Sequence, residues 1–180
     1  MAMTRIMQLH SAADGQPSTF SYKGPRRYLL TLSTFHSREI FVEMPPVVQV
    51  LDVLRDSAWK CHFDIVAYSF LPNALRIIAL GRSSESDMRE FLHDFRARSS
   101  TALESQLGHP LWKRRYLERV LRKNEEDVTV AREVFLAPVK LGLASKAEAY
   151  PFQGSFTSNV ALICRPVPRP HRRLPFRRRS

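Results

Sequence analysis

The sequence predicts an α+β domain: an antiparallel sheet of about four to five strands with helices packed on one face, the split βαβ, ferredoxin-like plan. Three observations carry that expectation. Strand-like and helix-like segments alternate in the order β-α-β-β-α, followed by a possible strand and another helix. The two central strands are separated only by Pro72-Asn73, which leaves no room for a crossover helix and requires an antiparallel hairpin. The chain has 180 residues, 44% hydrophobic and 25% charged, enough to bury a core without disulfides or a structural metal.

Residues 1–24 are polar, are broken by Gly15, Pro17 and Gly24, and are expected to form a flexible leader. Residues 28–35 (YLLTLSTF) read as a strand whose nearly continuous apolar run implies burial on both faces; Ile40, Phe41 and Val42 read as a short extension. Pro45 and Pro46 suit a helix start, and Val47, Val50, Leu51 and Leu54 recur at helical spacing as far as Lys60. Residues 63–70 and 74–80 are the hairpin strands. Ser84 to Asp87 open a second long helix with apolar Met88, Phe91, Leu92 and Phe95, which Gly108 and Pro110 end by residue 107. Residues 111–121 are ambiguous; a short strand entered through a loop fits them. Glu125-Glu126-Asp127 start another helix that is expected to stop at Ala137-Pro138, and residues 155–164 read as one more strand. The domain is thus expected over 25–164.

The formal net charge is +11, with 28 Lys and Arg against 17 Asp and Glu. That balance favours a polyanionic partner, usually nucleic acid. The charge is uneven. Residues 165–180 contain seven arginines, four prolines and no acid, leaving about +4 for everything before them. Such a tail is expected to be disordered and to bind polyanions electrostatically. Two cysteines, Cys61 and Cys164, cannot build a four-thiolate zinc site or a disulfide framework. No run approaches a membrane span, and residues 1–21 lack the apolar stretch of a signal peptide, so a cytoplasmic protein without a membrane partner is expected. His36, His62, His93 and His109 are scattered and point to no metal site, and neither nucleotide-binding glycine motif occurs.

Four segments in register carry a resemblance: LPNALR at 71–76, LWKRRYLERVLR at 111–122, AREVFLAPVKLGL at 131–143, and YPFQGS at 150–155. Together with the element order they resemble the HUH-class single-tyrosine transposases, in particular the REP-associated group, over about residues 24–156. The resemblance implies a protein that cuts single-stranded DNA. In that family two histidines spaced i, i+2 on a strand hold a divalent cation such as Mg or Mn, and a helix-borne tyrosine forms a covalent link to the scissile phosphate. The family's strand motif reads Pro-Asn-His-apolar-His.

This chain keeps the frame and departs at each chemical position. Pro72 and Asn73 match, but Ala74 and Arg76 stand where the histidines would be, and Glu133 stands where the tyrosine would be. Alanine has no ligand atom, and arginine is a permanent cation with no acceptor. A carboxylate attacking phosphate meets like-charge repulsion and would give a labile mixed anhydride. No catalytic residue and no cofactor site is therefore expected to be intact, and the implied metal is not expected to bind. The resemblance thus implies a degenerate member, a pseudoenzyme: a transposase-like protein expected to bind single-stranded or hairpin DNA, to form a homodimer if it follows the family, and to associate with a bacterial nucleoid. Arg76 either clamps a phosphate where the cation would sit or pairs with a nearby acid such as Glu133. Lys113, Arg114, Arg115, Arg119, Arg122 and Lys123 form a basic cluster with Trp112 and Tyr116 interleaved; the cations can meet phosphates, while the aromatics fit a core better than a stacking role. Arg26 and Arg27 form a smaller basic pair. Two alternatives stay open: strand cleavage and joining by displaced residues, with Tyr116 the nearby spare tyrosine, and a vestigial interaction domain.

Overall fold

A computed structural model describes residues 8–11 and 21–164. The expected tail at 165–180 lies outside the described residues, as does most of the expected leader. Six strands form one antiparallel sheet: β1 (Gln8–Ser11), β2 (Arg27–Ser33), β3 (Phe63–Leu71), β4 (Ala74–Gly81), β5 (Arg115–Val120) and β6 (Gln153–Gly154). Their spatial order is β1-β5-β2-β4-β3-β6. The longer helices are α1 (Met44–Lys60), α2 (Met88–Leu107) and α3 (Asp127–Phe135), followed by the short α4 (Ala137–Lys140) and α5 (Val160–Cys164).

The β3–β4 hairpin forms around Pro72-Asn73 as expected, with Leu71 opposite Ala74 and Phe70 opposite Leu75. β2 pairs on the other side of β4, from Arg27 opposite Leu80 to Ser33 opposite Ala74. Alternation then sorts the side chains. Tyr28, Leu30 and Leu32 of β2 and Leu75, Ile77 and Ala79 of β4 face a core built with α1 and α2. Leu29 and Ile78 face a second core, where Val130, Ala131, Val134 and Phe135 of α3 meet Ile163 of α5. This explains the continuous apolar run at 28–32: the strand is buried on both sides. A register shift between Ile65 and Ala67 in β3 lets the first face the α1–α2 core and the second face α3.

Local chemistry sets the helix ends. Pro occupies the first turn of α1, where no intrahelical N–H is needed. Asp87 caps α2 by accepting from the Arg89 (2.9 Å) and Glu90 (3.4 Å) amides, and Gly108 closes it at φ 63°. Asp94 ties α2 to α1, accepting from Ser57 Oγ (2.7 Å) and Lys60 Nζ (2.6 Å).

The structure corrects several expectations. α1 and α2 share one face as expected, but α3 and α5 cover the opposite face, because Leu29, Ala67 and Ile78 leave an apolar surface there. The sheet has six strands rather than four or five, since two short strands add at its edges. Gln8–Ser11, within the expected flexible leader, pairs with β5. Ile40, Phe41 and Val42 do not extend β2; the amides of Ile40 (2.8 Å) and Phe41 (3.0 Å) donate to the Pro72 carbonyl in a loop. α3 ends at Phe135, just before Ala137-Pro138 as expected, and a separate short helix, α4, follows with Pro138 in its first turn, where it is tolerated. Residues 160–164 form a helix instead of a strand; Arg132 holds the Ile163 carbonyl at 3.0 Å. Among the described residues no helix is long and apolar enough to cross a membrane.

Candidate nucleic-acid interface

Ala74 and Arg76 lie two apart on β4 and therefore project from one face, the face that also carries Ile78 and is covered by α3. Ala74 is buried against Leu71 and Ala137. Arg76 is half-buried, in register with Thr31 on β2 and Ser69 on β3. Glu133 approaches from α3. Burial pulls the Arg76 guanidinium below its ordinary pKa, Glu133 opposes that shift, and the nearby Arg119 charge adds to it. Arg119 comes from β5 opposite Leu29, on the same face. It binds Glu125 at 2.5 Å and lies 3.9 Å from Glu133. Arg76 thus shares its face with the Arg119–Glu133 ion pair and feels the Glu133 charge, while Ala74 packs against Leu71 and Ala137. The donor set does not fit a divalent cation: it offers a methyl group, a permanent cation and a carboxylate already engaged by arginine. Among the described residues no group of three or more His, Cys, Asp and Glu could hold a metal ion.

The retained Pro72-Asn73 pair has a structural role of its own. The Asn73 carbonyl accepts from the Thr34 amide (2.9 Å) and the Pro72 carbonyl accepts from the 40–41 amides. The hairpin turn is therefore clamped to the segment that follows β2.

The basic residues divide into two groups. Arg27 has a side chain only 19% exposed; it binds Asp127 at 2.5 Å and donates to the Glu125 and Arg122 carbonyls. With Arg119, it joins the β5–α3 connection to the sheet, and acids on or before α3 engage both guanidinium groups. Lys113 is half-buried and donates to Ser37 Oγ at 2.7 Å. Arg114 and Arg115 are exposed, and among the described residues neither side chain forms an ion pair or hydrogen bond. Arg26, Arg122 and Lys123 are also exposed. Sequence reasoning passed over Arg96 on α2, whose Nη2 donates to the carbonyls of Lys113 (2.7 Å) and Arg114 (3.2 Å) and so props the basic loop. A lone arginine in a helix gives no pattern that would reveal this.

The aromatics of the cluster belong to the fold. Trp112 is buried against Phe41 and Phe95, with Nε1 donating to Ser99 Oγ at 2.8 Å. Tyr116 packs on the α1–α2 core, the face opposite Arg76, beneath the Arg96 guanidinium. Burial, with the charge of Glu118 adding to it, pushes its phenol up to about 12.

A six-stranded antiparallel sheet with this β-α-β-β-α core and helices on both faces is an α+β fold. The chain is similar in structure to a REP-associated tyrosine transposase bound to a REP hairpin, with TM-score 0.63 and 14% identity over 77% of this chain and 81% of that one. A candidate transposase from Deinococcus radiodurans is a weaker match, with TM-score 0.47 and 18% identity over 60% of this chain and 86% of that one. No protein-family model matches the chain, and no curated protein matches it in sequence. The fold implied by the sequence resemblance is therefore the fold observed.

Proposed function

We propose that this chain is a transposase-like DNA-binding protein that recognises single-stranded or hairpin DNA and does not cut it by the metal-and-tyrosine route. The observation that carries this reading is the replacement of that route's groups by an arginine-rich face, in a fold whose solved counterpart holds a hairpin. Arg76, Arg119 and Arg115 share one side of the sheet, and exposed Arg114 and Arg115 have no acidic neighbour to satisfy them among the described residues. Arg76 itself serves the network with Glu133 first, so Arg114 and Arg115 are the stronger phosphate contacts.

Cleavage through Tyr116 has little support. Its ring faces the α1–α2 core, away from Arg76 and Glu133, and its raised pKa makes the phenolate scarce at neutral pH. The interaction-only reading gains from the buried Trp112 but not from the sheet face, which is charged.

The test is binding of a fluorescein-labelled DNA hairpin with single-stranded flanks, measured by anisotropy at several salt concentrations. The tail's seven arginines are replaced by serine so that the domain alone is read. Arg114→Ala with Arg115→Ala should weaken binding and reduce the salt slope by about 1.4, two phosphates' worth. Unchanged affinity would remove these residues from the interface, and no binding even at low salt would refute the reading.

A further inference from the structure

Immediately after β2 the backbone takes a conformation that side-chain-bearing residues avoid. His36 and Ser37 both have left-handed φ, 52° and 56°. Their positions are fixed on several sides. Thr34 is fully buried, and its Oγ1 donates to the Arg38 carbonyl at 2.6 Å; the Ser37 amide donates back to the Thr34 carbonyl at 3.0 Å. The Phe35 amide donates to the Leu111 carbonyl at 2.8 Å, and Lys113 reaches Ser37 from β5's approach. Backbone strain of this kind persists only where the surroundings enforce it, and it gathers at binding sites.

What the turn presents is a patch of rings. Phe35 meets His36 edge-on with centroids 4.1 Å apart, and His109, arriving from beyond α2, at 5.6 Å. The His109 tautomer is set by its partners: Nδ1–H donates to the Pro110 carbonyl (2.9 Å), leaving Nε2 to accept from Arg38 Nη1 (3.0 Å). His36 and Arg38 are exposed, and Phe35, His109 and Lys113 are half-buried. Three adjacent rings bordered by Arg38 and Lys113 combine a π-surface with cations, the pairing that holds unpaired bases and their phosphates. The patch lies at the sheet end where Ser33 pairs with Ala74, one step beyond the β4 motif positions.

We propose that Phe35, His36 and His109 form a stacking platform for an unpaired nucleobase of single-stranded DNA, with Arg38 and Lys113 on the adjoining phosphate. This rests on the DNA-binding reading above and adds the subsite that tells unpaired from paired DNA.

The test uses the full chain with an oligothymidylate carrying 5-iododeoxyuridine and with a fully paired duplex of the same length. Photocrosslinking followed by peptide mass spectrometry should place the adduct on Phe35, His36 or His109. His36→Ala, and separately Phe35→Leu, should weaken oligothymidylate binding by roughly fivefold or more and leave duplex binding and the thermal midpoint unchanged. His36→Ala keeps the turn's backbone demand similar, so it reads stacking even if Phe35→Leu unfolds. Adducts confined elsewhere, or equal losses on both DNAs, would overturn the platform while leaving DNA binding intact. Absence of any DNA binding by the full chain would overturn both.

Discussion

The Arg119 guanidinium lies 3.9 Å from the Glu133 carboxylate, so the residue at the resemblance's nucleophile position is bound into an ion pair. Arg76 faces the same carboxylate from β4. Two arginines sharing Glu133 on a half-buried face should be energetically coupled. Glu133→Ala is expected to destabilise by about 0.5–1 kcal/mol, a figure kept small because the carboxylate is 40% exposed. In an Arg76→Met background the same change should cost less, because one uncompensated cation is gone. Urea denaturation of the four proteins measures the coupling; additive effects would separate Arg76 from the pair.

The division of the basic residues gives a second expectation. Arg27→Ala removes a guanidinium that joins β2 to Asp127 and two carbonyls of the β5–α3 connection, and should cost about 1–3 kcal/mol. Arg114→Ala should leave the thermal midpoint within error while weakening DNA binding. If Arg27→Ala is as stable as the parent chain, its contacts are ornaments of the surface.

Asp94 gives the pH dependence. Burial raises its carboxyl, but hydrogen bonds from Lys60 and Ser57 and the Lys60 charge outweigh that and hold it below the ordinary carboxylate range. Its folded pKa is depressed, so its contribution is present at neutral pH and above the unfolded value near about 3.9. It is lost as pH falls through the lower folded value. Asp94→Asn should flatten the acid limb of the stability–pH curve, and Asp94→Ala should cost about 1–2 kcal/mol at pH 7. An unchanged acid limb in Asp94→Asn would show that α1 and α2 are held by packing alone.

The tail is separable in the same way. Replacing its seven arginines should flatten the salt dependence by several units, at about 0.7 per phosphate on single strands. Preference for unpaired or hairpin DNA over duplex should survive, because shape is read by folded surfaces. Loss of that preference along with the tail would place recognition there.

The central hairpin and the faces of α1 and α2 were legible because Pro72-Asn73 and the Val47, Val50, Leu54 spacing act locally. β1 and β6 were not, since two to four residues joined by backbone bonds leave no periodic trace. Val160 to Cys164 has strand-like composition, yet Ile163 finds the second core from a helix. At the site, the shared face of positions 74 and 76 followed from strand alternation, whereas position 133, on α3, was singled out by the resemblance alone. The loss of Arg27 and Arg119 to structural roles did not, because Asp127 lies 100 residues from Arg27 and their meeting depends on the finished sheet. The ring patch was equally hidden: Phe35 and His109 belong to segments far apart in the chain that meet through the Thr34–Trp112 bridge and the Phe35–Leu111 hydrogen bond of the finished fold.

The folded chain is expected to hold unpaired or hairpin DNA without severing it. The full-length protein is incubated with an end-labelled hairpin carrying single-stranded flanks, in magnesium or manganese. One portion is resolved on a native gel and the other on a denaturing gel. A retarded native complex with no cleaved strand and no covalent protein–DNA adduct is the expected result. A tyrosine-linked adduct, or a divalent cation bound at Ala74 and Arg76, would contradict it.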